Sequence, residues 1–380
     1  MMQQTDRYDV AVLGGGMLGS AIAYGCAAGG ARVAVLDEGD VALRAARGNF
    51  GLVWSQGKGD SMPAYAAWTR RSLAGWSDLA ERMSGLAGRD VGYRAAGGLV
   101  FCLGEAELSA RREQVLRQHN QGFDGVRILD RQALRDLMPG CPLGPEVIGA
   151  SFQPADGHAD PLTLLRGFKA GLLAAGAAML NGAPVTRIIA EDQGFCIQRA
   201  DGSAIHARRI VVASGLGTPA LAAQIGLNVP VRPVRGQNIV TERLAPILPL
   251  PASALRQTTN GTIQIGVTSE DDGSYAPITR AENLATMAAR AIRVIPALAR
   301  ANIVRTWGAL RPMTPDGFPA YAESAVYPGA FVAVCHSAVT LAAVHAGPLA
   351  AGILAGRLPD ELAPLHPRRF DEKDAHVPAH

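Results

Sequence analysis

The feature that most constrains this chain lies close to its N-terminus. Tyr8-Asp-Val-Ala-Val-Leu13, a short apolar, β-branched run, stops at Gly14-Gly-Gly-Met-Leu-Gly19, and small residues suited to a close-packed helix occupy 20–30. A second apolar run, Arg32-Val-Ala-Val-Leu36, ends at Asp37-Glu38. Strand, GxGxxG, helix, strand and terminal acid in that order predict a βαβ unit that binds a dinucleotide. Gly14 permits the tight turn, Gly16 lets the backbone approach a pyrophosphate, and Gly19 lets helix and strand pack closely. The amides that follow at Met17 and Leu18 present the positive end of the helix dipole to phosphate. Asp37, with Glu38 beside it, is placed to accept hydrogen bonds from a ribose hydroxyl. No basic residue directly follows the second strand, which disfavours a 2′-phosphate and hence NADP. The unit itself leaves NAD and FAD open.

Composition narrows the field mainly by exclusion. Glycine supplies 44 of 380 residues, about 12 % against a usual figure of roughly 7 %, in keeping with backbone that must approach a cofactor. Thirty-six basic residues against 33 acidic ones give a net charge of +3; with no run of like charge, nucleic acid has no electrostatic footprint. The five cysteines, Cys26, Cys102, Cys141, Cys196 and Cys335, form no CxxC pair, and the eight histidines show no HExxH spacing. A reducing compartment and no metal site are expected. The apolar stretch from Val10 to Val35 is broken by Gly14, Gly15, Gly16, Gly19 and Gly25 and has no basic flank, so no membrane span is expected. The expected location is cytoplasmic, with any membrane association made through a partner.

Further along, residues 44–59 form a glycine-punctuated loop suited to covering a ligand. Residues 61–84 read as one amphipathic helix whose Trp68, Leu73, Trp76 and Leu79 face the core. Strand 97–103, helices 105–119 and 131–138 and a Pro139–Pro145 breaker follow; from Val147 strand and helix alternate again. Segments 231–242, 262–268 and 302–311 alternate polar and apolar residues, the pattern of antiparallel strands with one open face. A buried strand, 330–334, then leads through Cys335-His336-Ser337 into an apolar helix over 339–355, and the proline-rich tail after Pro359 is expected to fray.

The order of these pieces resembles the FAD-dependent amine and amino-acid oxidoreductases, the family of D-amino acid oxidase, glycine oxidase and sarcosine oxidase. Its markers here are the N-terminal unit with Asp37, the strand Pro184-Val-Thr-Arg-Ile188, the strand Ile210-Val-Val-Ala-Ser-Gly215, Pro233-Val-Arg-Gly-Gln237, and above all Trp307-Gly-Ala-Leu-Arg-Pro-Met-Thr-Pro-Asp-Gly-Phe-Pro319. The loop from Arg47 to Gly59 is similar in style to flavin-bearing components of multi-subunit bacterial dehydrogenases, such as those of hydroxyproline dehydrogenase (its β component), opine oxidase (its B component) and hydrogen cyanide synthase (its C component).

The resemblance implies an α/β fold: a Rossmann-like FAD-binding domain of discontinuous segments (1–89, 146–229, 312–380) and an α+β substrate domain with a mostly antiparallel sheet (90–145, 230–311). It places Gly14, Gly16 and Gly19 at the pyrophosphate, Asp37 at the adenosine ribose and Val185 at the adenine. Arg47, Asn49 and Gly51 fall in the loop beside pyrophosphate and flavin, Ser214 and Gly215 at the end of a buried strand, and His336, Ala338, Val339 and Thr340 at the flavin's pyrimidine edge. Two positions depart from the family pattern: Cys335 and Thr340 stand where glycines are usual. Members that attach FAD covalently carry a cysteine shortly before the Thr-Pro-Asp motif; Gly308-Ala-Leu310 offers none, so the FAD is expected to be non-covalent.

In the implied chemistry the flavin takes a hydride from an amine carbon and the protein positions the substrate. Arg311 is the expected anchor for a substrate carboxylate, with Lys58 and Trp54 as further pocket candidates. Arg235 reads as a structural ion-pair residue, and Glu270-Asp-Asp272 as a turn. The expected activity is oxidation of a small carboxylated amine or imino acid such as D-hydroxyproline, with partner subunits, bearing flavin or iron–sulfur centres, as electron acceptors. Opine or glycine oxidation is the alternative within the family; a non-catalytic flavin electron-transfer subunit and an NAD-dependent dehydrogenase are the alternatives outside it.

Overall fold

A computed structural model describes residues 7–39 and 45–371. Arg44, where the glycine-punctuated loop is expected to begin, and residues 372–380 of the tail lie outside the described residues.

The N-terminal unit forms in the expected order: β1 (Arg7–Leu13), α1 (Met17–Ala28) and β2 (Val33–Leu36). Both strands are parallel neighbours in an eight-stranded sheet. Strand Ala204–Val212 lies parallel on the other side of β1, followed by Ala330–Val334 parallel to it, while Ala178–Leu180 extends the sheet beyond β2. The runs Ala11–Leu13, Val33–Leu36, Ile210–Val212 and Ala330–Val334 are buried along their whole length, because helices cover one face of a parallel sheet and further apolar elements the other. Each Val, Ile or Leu so buried contributes about 1.5–3 kcal/mol. The hairpin Gly194–Arg199/Ala204–Val212 turns at Gly202, whose φ of +82° suits glycine.

The second sheet region is antiparallel. Arg232–Arg243 pairs with Ile303–Met313 and with Thr262–Gly266, and Gly98–Leu103, Val147–Gln153 and Arg127–Asp130 form a three-stranded sheet. A shared apolar core, including Leu99, Phe152, Ile239 and Ile263, joins the two. The chain is therefore α/β with a mostly parallel sheet beside mostly antiparallel ones.

Three sequence expectations need correction. Residues 61–84 do not form one helix: Pro63–Ala74 and Trp76–Ala87 are separate helices joined at Gly75. Glycine favours the break, and it allows Trp68 and Trp76 both to be fully buried, each in a different core cluster. The helix expected over 339–355 is likewise broken into Ala342–Val344 and Ala350–Ala355, with Gly347 non-helical (φ −104°, ψ −106°) before Pro348. Proline removes a helix donor and clashes with the preceding turn. A Cβ at Gly25 would lie 2.2 Å from the Ala346 carbonyl oxygen, so α1 meets this kinked turn backbone to backbone. Finally, the chain does not fray at Pro359: Asp360–Leu365 and Pro367–Phe370 are helical turns that bury Leu362 and Leu365, and Arg369 donates to Asp316 and to the Pro319 carbonyl.

Candidate functional site

The glycines of the first turn are explained by what surrounds them. Gly14 has φ +118°, and a Cβ there would lie 2.4 Å from the Ala213 carbonyl oxygen; one at Gly19 would lie 1.9 Å from the Gly14 carbonyl oxygen. Both positions exclude any side chain. Gly16 differs, since its nearest neighbour to a Cβ is the Ala46 methyl at 4.0 Å. It is the N-cap of α1 and makes no side-chain capping bond. The first-turn amides of α1 therefore open onto space rather than onto a capping side chain, the arrangement that receives an anion.

That space is a cavity of about 570 Å³ along the carboxyl ends of the parallel strands. Asp37, Glu38 and Val185 line one part; Gly14, Gly16, Met17 and Leu18 the middle; Ser214 and Gly215 a side wall; and Cys335, His336 and Ala338 another part. Asp37 is held by two amides, accepting from Gly15 N at 2.7 Å and Gly39 N at 3.0 Å. Ser214 Oγ donates to the Leu13 carbonyl at 2.7 Å, tying the ends of two adjacent strands together. Of the expected cofactor residues, Gly19 and Gly51 act from behind the wall: a Cβ at Gly51 (φ +90°) would lie 2.4 Å from the Ala159 carbonyl oxygen. Arg47 is not among the lining residues.

A smaller cavity of about 170 Å³ shares Ala45, Asn49 and His336 with the first. Its walls include Trp54, Lys58, Asn238, Arg311, Ser337 and Thr340. Arg311 lies on strand Ile303–Met313, and its Nη2 donates to the carbonyls of Thr268 at 2.6 Å and Arg235 at 3.3 Å. It has no carboxylate partner among the described residues. Arg235, one strand away, is the opposite case. Fully buried, it donates to Glu270 Oε2 at 2.9 and 3.0 Å and to Asp272 Oδ2 at 2.6 Å. Arg235 is thus the structural ion-pair residue expected, and Glu270 and Asp272 are its counterions.

The loop carrying Trp54 and Lys58 is fixed by groups that sequence reasoning missed. Asp156, buried, accepts from Ser55 N and Ser55 Oγ, both at 2.6 Å, and from Gln56 Nε2 at 3.1 Å. Burial pushes its carboxyl up to about 6 despite these bonds. Thr340, one of the two departures from the family pattern, acts as a knot. Its Oγ1 accepts from Trp54 N at 3.3 Å and donates to the Leu52 carbonyl at 3.2 Å, while its own carbonyl accepts from Ser72 Oγ at 2.7 Å and Trp76 Nε1 at 3.0 Å. Ser337 gathers a second set: Lys58 Nζ donates to its Oγ at 2.7 Å and Tyr65 Oη at 2.9 Å, and His336 Nε2 lies 3.1 Å away. Only adjacency to His336 marks Ser337 in the sequence, and nothing marks Tyr65 or Asp156.

Burial, reinforced by Lys58 and Arg311, holds His336 well below the ordinary imidazole range, so its ring is neutral. Burial also pushes the Lys58 amine down to about 8, with Arg311 pushing the same way and Cys335 and Asp156 opposing. The Cys335 thiol is pushed up to about 12 by burial and stays protonated. Among the described residues, no helix is long and apolar enough to cross a membrane.

A helix N-terminus open to a long cavity at the strand ends, an acid closing the second strand of the βαβ unit and a second, cationic cavity that shares wall residues with the first define a dinucleotide-dependent oxidoreductase. Similarity to known proteins makes this specific. The model of the family "FAD dependent oxidoreductase" matches residues 9–353, and the chain belongs to that family. It is 40 % identical to the B component of the opine oxidase of Rhizobium meliloti over 97 % of this chain and 99 % of the relative. It is 27 % identical to a glycine oxidase of Bacillus licheniformis over 82 % of this chain and 83 % of that one. The crystal structure of glycine oxidase from Geobacillus kaustophilus matches with a TM-score of 0.87 at 26 % identity, covering 95 % of this chain and 98 % of the other. The protein is a FAD-dependent oxidoreductase, and the open amides of α1 and the unencumbered backbone at Gly16 fit the diphosphate that such a cofactor carries.

Proposed function

We propose that the chain oxidises a small amine bearing a carboxylate at its CH–NH bond, with Arg311 as the carboxylate anchor. The observation that carries this reading is the Arg311 guanidinium, lining the 170 Å³ cavity beside the dinucleotide site without a carboxylate partner among the described residues. Backbone carbonyls of Val234, Arg235 and Thr268 take the Nε and Nη2 donors and hold the guanidinium plane fixed, which leaves Nη1 for a charge-assisted bond to a ligand carboxylate.

FAD, when bound, accepts the hydride released from the substrate carbon. Gly16, Met17, Leu18 and Asp37 would hold its diphosphate and ribose, with Val185 beside the adenine. His336, Ala338, Val339 and Thr340 would border the flavin, and the amides of 338–340 favour negative charge there. Trp54 and Val339 supply apolar wall to the small cavity, which limits water around the reacting carbon. The attachment is non-covalent in this reading: Cys335, the cysteine lining the large cavity, is held protonated by burial and is a poor nucleophile.

The 40 % relative is named as one component, B, of an opine oxidase, which favours an opine-like amine over D-hydroxyproline and favours a chain that passes electrons within a multi-subunit assembly. Anaerobic bleaching of the purified yellow protein, alone and with co-expressed neighbouring subunits, tests both parts. Opines, D-hydroxyproline, proline, glycine and sarcosine are the panel. Bleaching by at least one carboxylated amine, lost in Arg311→Met while the flavin spectrum persists, is the expected result. A flavin that none of them reduces would overturn the enzyme reading in favour of an electron-transfer subunit.

A further inference from the structure

The small cavity contains two positive charges, and neither has an acid to pair with among the described residues. Arg311 donates to carbonyl oxygens; Lys58 donates to Ser337 Oγ at 2.7 Å. Asp156, a nearby acid, already accepts bonds from Ser55 and Gln56. Two like charges on the wall of one 170 Å³ cavity are unfavourable together. The strain is visible in Lys58, whose amine burial and Arg311 both push down.

Two further facts bear on how Lys58 is held. Its Nζ has three donors: Ser337 takes one, His336 Nε2 lies 3.5 Å from it, and at least one is left for a ligand. Ser337 Oγ is itself pinned, since it accepts from both Lys58 and Tyr65 and its proton is left for His336 Nε2 at 3.1 Å. His336 therefore presents its lone pair to Ser337 and adds no charge, which leaves Lys58 as the second cation of the pocket.

We propose that the substrate is an amine carrying two carboxylates, one held by Arg311 and the other by Lys58, and that Lys58 sets the preference for such dianions. This rests on the carboxylated-amine reading and narrows its substrate class. The shared chemistry fits both an N-(carboxyalkyl) amino acid, with nitrogen between the carboxylates, and an α-amino dicarboxylic acid.

The test uses the flavin-loaded protein and non-oxidisable sulfur analogues, read by the shift they cause in the visible flavin spectrum. Thiodiacetate carries both carboxylates and methylthioacetate one. Thiodiacetate should bind roughly 10- to 100-fold more tightly, the worth of one charge-assisted contact. Lys58→Met should bring that ratio close to one, Lys58→Arg should keep most of it, and Arg311→Met should weaken both ligands. Equal binding by the wild-type protein, or a ratio that survives Lys58→Met, overturns the proposal; if Lys58→Met does not load flavin, the wild-type ratio and Lys58→Arg decide. Anaerobic bleaching by iminodiacetate and glutamate, against sarcosine and alanine, then separates the two dianion classes. Selective thiodiacetate binding with no bleaching by any amine would sink the enzyme reading and leave the two-anchor pocket standing. Bleaching by monocarboxylates without a dianion preference would do the reverse.

Discussion

The two cavities lie side by side and are built differently. The large one centres on backbone, the first-turn amides of α1 and the turn at Gly14, where no side chain fits. The small one is made of side chains drawn from distant segments, Trp54 and Lys58 from a loop, Asn238 and Arg311 from antiparallel strands, and His336 from the turn after a parallel strand. A backbone site fails as a whole when its geometry is disturbed. A side-chain site can lose one function and keep the rest.

Gly19→Val gives the largest effect and tests the first half of that contrast. With a Cβ 1.9 Å from the Gly14 carbonyl oxygen, strand and helix must separate, and a loss above about 4 kcal/mol is expected. Protein recovered from such a variant should be colourless, as absorbance of flavin per chain would show. A yellow, stable Gly19→Val protein would break the comparison.

Arg311→Met and Arg235→Met sharpen the second half, because neighbouring strands carry arginines with opposite tasks. Removing Arg311 should lower kcat/KM about 10²–10³-fold while flavin content holds. Removing Arg235 strands Glu270 and Asp272 and should destabilise the fold by about 3–5 kcal/mol, read as a lowered denaturation midpoint. Interchanged results would reverse the two assignments.

Acid should weaken the whole molecule more than the cradle alone. His158 and His345 are pushed down to about 3 by burial, with Arg256 and Arg94 adding to the effect at His158. Between pH 6.5 and 3 these rings stay neutral when folded and take protons when unfolded, so stability falls as pH drops through that window. Asp156 works against this: its carboxyl is raised from 3.8 to about 6, so between those values it binds its proton in the folded state and gains stability on acidification. Two histidines outweigh one acid, and thermal melting from about pH 7 to about pH 4 should show a net decline. The Asp156→Asn variant removes the opposing contribution and should steepen it.

Thr340→Val is the mildest change. It deletes the hydroxyl that ties Trp54 N and the Leu52 carbonyl together, at about 1–3 kcal/mol. Tm should fall by a few degrees, and the KM for substrate should rise more than kcat changes, because the loop bearing Lys58 loosens while the backbone amides of 338–340 keep their place.

The difference in construction also decides what can be read from the residues. GxGxxG, Asp37 and the burial of the parallel strands follow from local rules, since a turn between strand and helix has few solutions and each imposes its own glycines. Arg235 and Arg311 sit on the same two paired strands, yet their roles diverge because Glu270 and Asp272 lie within reach of one and not of the other. Helix continuity is not legible at Gly75, where the break depends on which core each half must fill, whereas the break before Pro348 carries its own local signal. The Thr340 knot joins a residue near the end of the chain to Leu52 and Trp54, a partnership that no sequence period encodes.

The sequence by itself determined the dinucleotide unit, the α/β class and the family, because these rest on hydrogen bonds and steric limits between residues near in the chain. Only the tertiary structure decided that Lys58 and Arg311 share one small cavity, that Ser337 and Tyr65 hold the lysine, and that Asp156 anchors its loop. Those contacts join residues far apart in the chain, and the favourable geometry of a charge is set by whatever the fold packs around it.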